Sequence, residues 1–583
     1  MTPTNHLKHA TRTPTRWVHC IAWLVIVVQP IVAIGQEAAP TDPSPPTVPS
    51  PPTNPSISPS SPNPNDSILP PVDREANPIP SVVRFRAREI IFDGNTVFPD
   101  EQLSQVVTPF LDRPLTTEDL EEIRQAITVY YVNAGYINSG AVLPDQRITE
   151  GRVKYKIIEG RLSKLDVTGT DHLRPSFIED RFDSFLDRPL NVAELREKVE
   201  LIRQNPNVAR IHASLNPGDE LGTSVLSLDV AETDPINLSL TFSNDSAPSV
   251  GAENLSMLFS HTNLTGRGDL LSIRYGITQD GWQDMNYAGL DDVDINYVLP
   301  ITSEDTTLIA GYGRSSSQIV EEPFDRFGIE SEMQSVVLGL RHPFYRDVNS
   351  EFAMSIMASH VRLRSTVDGQ PQPISPGSSR EGENRVTSIR FGQEWITRNE
   401  SQVLALSSTV SFGIDAFGST RDRSVDASGF TRWQGQATFI QRLFESENQL
   451  VARIDGQVAD QPMVAGEQFV IGGMHSVRGY RENQVLRDMG VLGSLELRLP
   501  IWMDGQGRRI VQLMPFLQGG FGSNVRGGRP DQLISSAGLG LAVNPIENLS
   551  ILVYWGHPFK NFESGTYNLQ DDGLHFRISL DIR

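Results

Sequence analysis

Residue types that ordinarily carry catalysis occur in this 583-residue chain, but their spacing does not assemble them into a catalytic device. There is no P-loop, no His-Glu-x-x-His pair and no Gly-x-Ser-x-Gly elbow. Gly538-Leu539-Gly540 lies in an alternating segment with no helix after it, so it is no nucleotide site, and Asp291-Asp292 and the scattered histidines read as solvated loop residues. The only cysteine is Cys20, which removes disulfides and thiolate metal sites from the expectation. No enzyme, cofactor or metal is expected. What remains is one run, Gly472-Gly473-Met474-His475-Ser476-Val477-Arg478-Gly479-Tyr480, with a single arginine among glycines and small residues. A guanidinium in such a place does recognition chemistry, because its planar fork matches a carboxylate.

The elements around that run are strands. From Pro235 onward apolar and polar residues alternate: Leu238, Leu240 and Phe242 against Ser239, Thr241 and Ser243; Leu495, Leu497 and Leu499 against Ser494, Glu496 and Arg498; Phe576, Ile578, Leu580 and Ile582 against His575, Arg577, Ser579 and Asp581. Sixteen such segments begin near Leu238, Leu255, Leu271, Asp294, Thr307, Val336, Phe352, Thr387, Leu404, Trp433, Val451, Ser494, Ile510, Ala537, Ser550 and Leu574. An even number of strands about ten residues long, greasy on one face, predicts a transmembrane barrel, since closure satisfies every backbone group in lipid. A soluble sandwich is the competing arrangement. The longer connections 365–383 and 417–431 are expected on the extracellular side.

Ahead of the barrel a unit repeats. Phe110-Leu111-Asp112-Arg113-Pro114-Leu115 recurs 75 residues later as Phe185-Leu186-Asp187-Arg188-Pro189-Leu190, and Gly94, Phe98, Leu103 and Leu120 align with Gly169, Leu173, Ile178 and Leu195. Each copy reads β-α-α-β-β: strands 87–92 and 162–167, helices 100–110 and 175–185, then a second helix with apolar residues at Leu120, Ile123, Ile127 and Tyr130, or at Leu195, Val199 and Ile202. Strands 139–143 with 152–158, and 210–215 with 224–230, complete the two copies.

The N-terminal 35 residues read as a cleaved secretory signal: Lys8, Arg12 and Arg16 without acids, an apolar run broken by Gln29 and Pro30, then Ala33 and Gly35. Residues 40 to 80 hold 15 prolines, a composition that buries no core and predicts an extended tether. The formal charge of −21 becomes −24 once the signal leaves, which argues against nucleic acid as a partner.

The repeated β-α-α-β-β unit over residues 84 to 233, with Val153-Lys154-Tyr155-Lys156-Ile157-Ile158-Glu159-Gly160, resembles the POTRA domain, which binds extended clients at open strand edges. Val477-Arg478-Gly479-Tyr480, set after two such units and after Asn263-Leu264-Thr265-Gly266-Arg267-Gly268-Asp269, resembles the lumen loop of the two-partner secretion transporters, the hemolysin secretion/activation (TpsB, ShlB/FhaC/HecB-type) family. Beyond the signal at 1–35 and the Pro-rich linker at 36–82, the resemblance implies POTRA units at 83–160 and 161–233, and an outer-membrane barrel at 234–583 that translocates a secreted exoprotein. The membrane lipid is a further implied partner, periplasmic chaperones are an open one, and neither nucleic acid nor nucleotide is expected. An outer-membrane barrel assembly factor is the alternative function, disfavoured by having only two POTRA units.

A loop arginine confined in a lumen requires an acid on the wall. The family pattern implies one on the thirteenth strand, where this chain has Phe516-Leu517-Gln518, with Gln518 in the acid's place. The expectation is therefore that Arg478 pairs with Glu496 of the twelfth strand while Gln518 accepts one hydrogen bond. Two other departures are expected to matter: the proline tract offers no plug helix, and the chain ends at Arg583 rather than an aromatic residue, leaving Phe576 to serve as the insertion signal.

Overall fold

Alternating residues need a sheet with unlike faces, and in the computed structural model they form sixteen antiparallel strands closed into a barrel. The structure describes residues 85–582 except 187, 280–288, 376, 423–424, 445–446, 528 and 563–565. The expected signal, proline tract and terminal Arg583 lie outside the described residues, as does any plug helix. In chain order the barrel strands, numbered 1 to 16, are Ile236–Ser243, Glu253–His261, Leu270–Gln279, Leu290–Pro300, Thr307–Gln318, Ile329–Arg346, Ser350–Val367, Glu383–Arg398, Gln402–Gly413, Thr431–Arg442, Gln449–Ala459, Met489–Met503, Arg509–Ser523, Gln532–Ile546, Leu549–Pro558 and Leu574–Asp581. Strand 1 pairs with strand 16 through Ser239–Ser243 and Arg577–Asp581.

All sixteen expected strands are present; the differences are of length. Strand 6 begins at Ile329 rather than near Val336, because Glu330, Glu332 and Gln334 carry no apolar alternation but still pair with strand 7 through the backbone. Val336, Leu338, Leu340, Met354, Trp433 and Leu517 are exposed on the outer wall. That is the face lipid covers. None of the described helices is long and apolar enough to cross a membrane. Connections from odd to even strands, such as 368–382 and 414–430, are long, whereas those from even to odd strands, such as 347–349 and 399–401, are short.

Residues 85–233 form a separate body holding two units with one element order. In the first, Glu89–Asp93 pairs parallel with Arg152–Ile158, which pairs antiparallel with Gly140–Val142. In the second, Arg161–Thr168 and Val208–Pro217 flank Thr223–Glu232 in the same way. Among the described residues no further strand pairs with the outer strands of either three-stranded sheet, apart from a single bridge between Arg161 and Pro189. Helix Thr117–Asn133 begins with a capping box between Thr116 and Asp119, and it buries Leu120, Ile123, Ile127 and Tyr131 against the sheet. Asp119 accepts from the backbone and hydroxyl of Thr116, which holds its carboxyl below the usual range.

The first helix of each copy is shorter than expected. Copy one turns from α over Asp100–Val107 to a 3₁₀ turn at Thr108–Phe110, where Pro109 sits. Copy two stops its α-helix at Glu179. There the Arg181 guanidinium takes the Phe177 carbonyl that a continuing helix would use, and the Arg181 amide turns to Ile178 instead. The repeat extends to a device the alignment does not show. Glu159 accepts from the Thr96 and Val97 amides and the Tyr131 hydroxyl, and Glu232 accepts from the Asp171, His172 and Leu173 amides. Each carboxylate ties the loop after its unit's first strand to the end of its last. Burial, with Glu159 alongside, pushes the Tyr131 phenol up.

Candidate functional site

The connection between strands 11 and 12, residues 460–488, contains the glycine-rich run. Short strands Phe469–Ile471 and Val485–Arg487 pair antiparallel and make it a hairpin. Ile471, Val477, Tyr480 and Val485 pack with Leu492 of strand 12 and Ile534 of strand 14. Leu492 and Ile534 alternate with the exposed Val491 and Leu533, so the hairpin lies inside the barrel. Glycines on the inner wall make room for it. A Cβ on Gly490 would sit 2.2 Å from the Phe469 ring, one on Gly520 2.4 Å from Ile471, and one on Gly556 2.7 Å from the Gly479 amide. Gly479 itself has φ +92°, and a side chain there would meet the Gly556 carbonyl at 2.7 Å.

Arg478 lies at the tip, and its guanidinium Nη1 donates to Glu496 Oε2 at 2.7 Å. Its Nε donates to the Met474 carbonyl at 3.1 Å. The guanidinium carbon lies 3.8 Å from the centre of the Tyr554 ring and 4.8 Å from that of Phe516, so two aromatic faces hold it. Gln518 is beside it, but its Oε1 accepts from the Arg478 backbone amide at 2.9 Å, while its Nε2 donates to Ser494. Strands 12 and 13 place Glu496 opposite Phe516 and Ser494 opposite Gln518. The wall acid of this site therefore stands on strand 12, two pairs away from Gln518. Glu496 is buried, and its Oε1 also accepts from Arg498 Nε at 2.9 Å. The Tyr480 hydroxyl donates to the Ser535 carbonyl and accepts from the Lys560 amide. Val477 packs with no exposed surface.

Three further charge clusters hold the same connection, two of them outside the run and one at His475 within it. At its base Glu467, 2% exposed, pairs with Arg390 of strand 8 at 2.8 Å and with Arg432 of strand 10. Past the tip, Arg481 binds Asp571 and Glu321, each at 2.6 Å. His475 contacts Arg577 of strand 16 at 2.7 Å, and Arg577 also pairs with Asp245. Sequence reading missed all three. The available signal was Arg390 and Arg432, each next to an outward aromatic (Phe391, Trp433), hence cations aimed inward that needed an acid from elsewhere. Gly538 and Gly540 have a steric role: a Cβ would reach the Phe516 ring at 2.5 Å and the Tyr554 ring at 2.3 Å, the two rings that flank Arg478.

A barrel of this strand number with a plugging hairpin can be compared with known proteins. Residues 222–543 match the family model described as haemolysin secretion/activation protein ShlB/FhaC/HecB. The chain belongs to that family. Residues 85–160 match the ShlB-type POTRA domain. The outer membrane transporter CdiB of Escherichia coli O6:K15:H31 (strain 536 / UPEC) is 24% identical over 70% of this chain and 67% of its own length. The heme/hemopexin transporter protein HuxB of Haemophilus influenzae is 21% identical over 71% and 72%. The solved structure of CdiB from Escherichia coli superposes with a TM-score of 0.65 at 21% identity, covering 88% of this chain and 93% of that one, which shows the shared fold. This family member is an outer-membrane transporter with its POTRA region in the periplasm, and it secretes a partner protein. Strand 1 follows directly on the periplasmic region, so the short turns face the periplasm and the long connections, the hairpin-bearing one included, come from outside.

Proposed function

We propose that this transporter is a gated conduit for one secreted exoprotein, with the Arg478–Glu496 pair as its latch. Residues 83–160 and 161–233 act as two POTRA domains, and the client adds to a free sheet edge as a further strand. The tract 36–82 tethers them, residues 1–35 having directed export. The client arrives unfolded, kept so by periplasmic chaperones, and displaces the hairpin tip as it enters the lipid-embedded barrel. The protein performs no covalent reaction. Direction comes from folding outside, where burial opposes return. The observation that carries this reading is the 2.7 Å contact between a lumen-loop guanidinium and a buried wall carboxylate. A double-mutant cycle of Arg478→Ala and Glu496→Gln on channel opening tests it: a coupling of roughly 0.5–3 kcal/mol is expected, and a value near zero removes the latch. Loss of one large exoprotein from the medium on deleting the gene is the matching cellular result, whereas a broad loss of outer-membrane barrels means assembly instead.

A further inference from the structure

Above the apolar belt on the outer wall, the extracellular halves of strands 5 to 8 carry charge in register. Arg314 pairs across with Gln334, Gln334 with Arg362, and Arg362 with Arg385, so three arginines stand in one row over four adjacent strands. At about 4.8 Å between strands, the row is roughly 14 Å wide. All four positions point outward, since they share parity with the exposed Tyr312, Val336, Leu338, Met354, Ile356 and Phe391. One row higher stand Glu332, Arg364 and Glu383. One row lower, Tyr312, Val336, His360 and Thr387 begin the descent to Leu338, Leu340, Ile356 and Phe391. Outward arginines on the extracellular half of the described barrel strands occur here and nowhere else around the wall.

The row's guanidiniums are half-satisfied and accessible. Arg314 meets Glu332 only at 3.4 Å with its side chain 56% exposed, and Glu383 is shared between Arg362 and Arg385. Arg364 is exposed and has no ion pair among the described residues. A chain of net charge −21 thus carries four outward arginines, interleaved with Glu332 and Glu383, directly above the exposed apolar residues Val336, Leu338, Leu340 and Ile356. Guanidiniums pair bidentately with phosphate, and a charged row next to an apolar wall suits a molecule that carries both.

We infer that this face binds the phosphorylated headgroup of an outer-leaflet glycolipid, with phosphates on the row Arg314, Arg362 and Arg385, Arg364 above them, and acyl chains on Val336, Leu338, Leu340 and Ile356. Such a lipid fixes strands 5 to 8, on the wall opposite the latch side, and orients the barrel in an asymmetric membrane.

The test uses the full-length protein in a neutral detergent and follows the thermal unfolding of the barrel. Added diphosphorylated lipid A should raise the midpoint by several degrees, while its dephosphorylated form and inorganic phosphate should not. Arg362→Ala/Arg385→Ala should lose the shift, Arg362→Lys/Arg385→Lys should keep part of it, and Arg421→Ala, on an extracellular loop, should keep all of it. An equal shift with dephosphorylated lipid, with phosphate alone or in the double alanine variant overturns the inference. If that variant fails to fold, Arg314→Ala, at the most exposed position of the row, carries the same reading.

Discussion

The base and the tip of the lumen hairpin are both held by arginine–carboxylate contacts, yet they are built for opposite ends. At the base, one acid serves two cations, Glu467 with Arg390 and Arg432, and all three side chains are at most 6% exposed. Withdrawing Glu467 would strand two buried guanidiniums. At the tip the ratio is the same but the connectivity differs. Glu496 is shared between Arg478, which belongs to the hairpin, and Arg498, which belongs to its own strand. When Arg478 leaves, Glu496 keeps Arg498 and the Tyr554 hydroxyl, and Arg478 moves towards water. Buried ion pairs are costly to break mainly for the partner left behind. Opening the Arg478–Glu496 contact leaves no charge uncompensated, whereas opening the base leaves two, so in the proposed gate that contact can part while the base stays fixed.

The largest effect should come from the base. Glu467→Gln removes the only carboxylate paired with Arg390 and Arg432 among the described residues, and a loss of about 3–5 kcal/mol in barrel stability is expected, read as a lower heat-modifiability midpoint on gels. A variant as stable as the parent would end the distinction. Next is Gly479→Val. It puts a β-branched side chain at φ +92° and against the Gly556 carbonyl. The tip should lift while the base stays, giving a permanently open channel in planar bilayers with an unchanged melting temperature.

Sharper still is the pair Arg478→Ala and Arg498→Ala. The first should raise opening frequency. The second should lower it, because Glu496 would then lose the cation of its own strand and depend on Arg478; changes of the same sign in opening frequency would break the comparison. The smallest effect lies in the periplasmic region, where Thr116→Ala removes the hydroxyl of the capping box. A cost of about 1 kcal/mol should show as roughly fivefold faster amide exchange over the first turn of Thr117–Asn133, with no change in the barrel.

Much of this was legible in the residues. The sixteen strands followed from alternation, because lipid on one side and a polar lumen on the other imprint a period of two on every strand. The periplasmic repeat followed from Phe110–Leu115 and its copy, since two units with one core need the same apolar positions. Glu496 as the wall acid followed from parity, as Ser494, Glu496 and Arg498 share a face. Strand ends were less legible: at the upper end of strand 6 the outward positions carry Glu330 and Glu332 rather than apolar residues, and the pattern is lost while the backbone still pairs.

The sequence by itself determined which faces meet lipid, how many strands close the wall, and that one arginine sits in a glycine-rich connection. The tertiary structure decided what that connection touches. Glu467 is 77 residues from Arg390 and Arg481 is 160 from Glu321, and no local periodicity links such positions. The glycines at 490, 520, 538, 540 and 556 likewise read as interruptions in strands until the hairpin and the wall rings of Phe516 and Tyr554 fill the space they leave. Local pattern reports the solvent each residue faces, whereas pairing across a lumen depends on closure, which brings distant strands together.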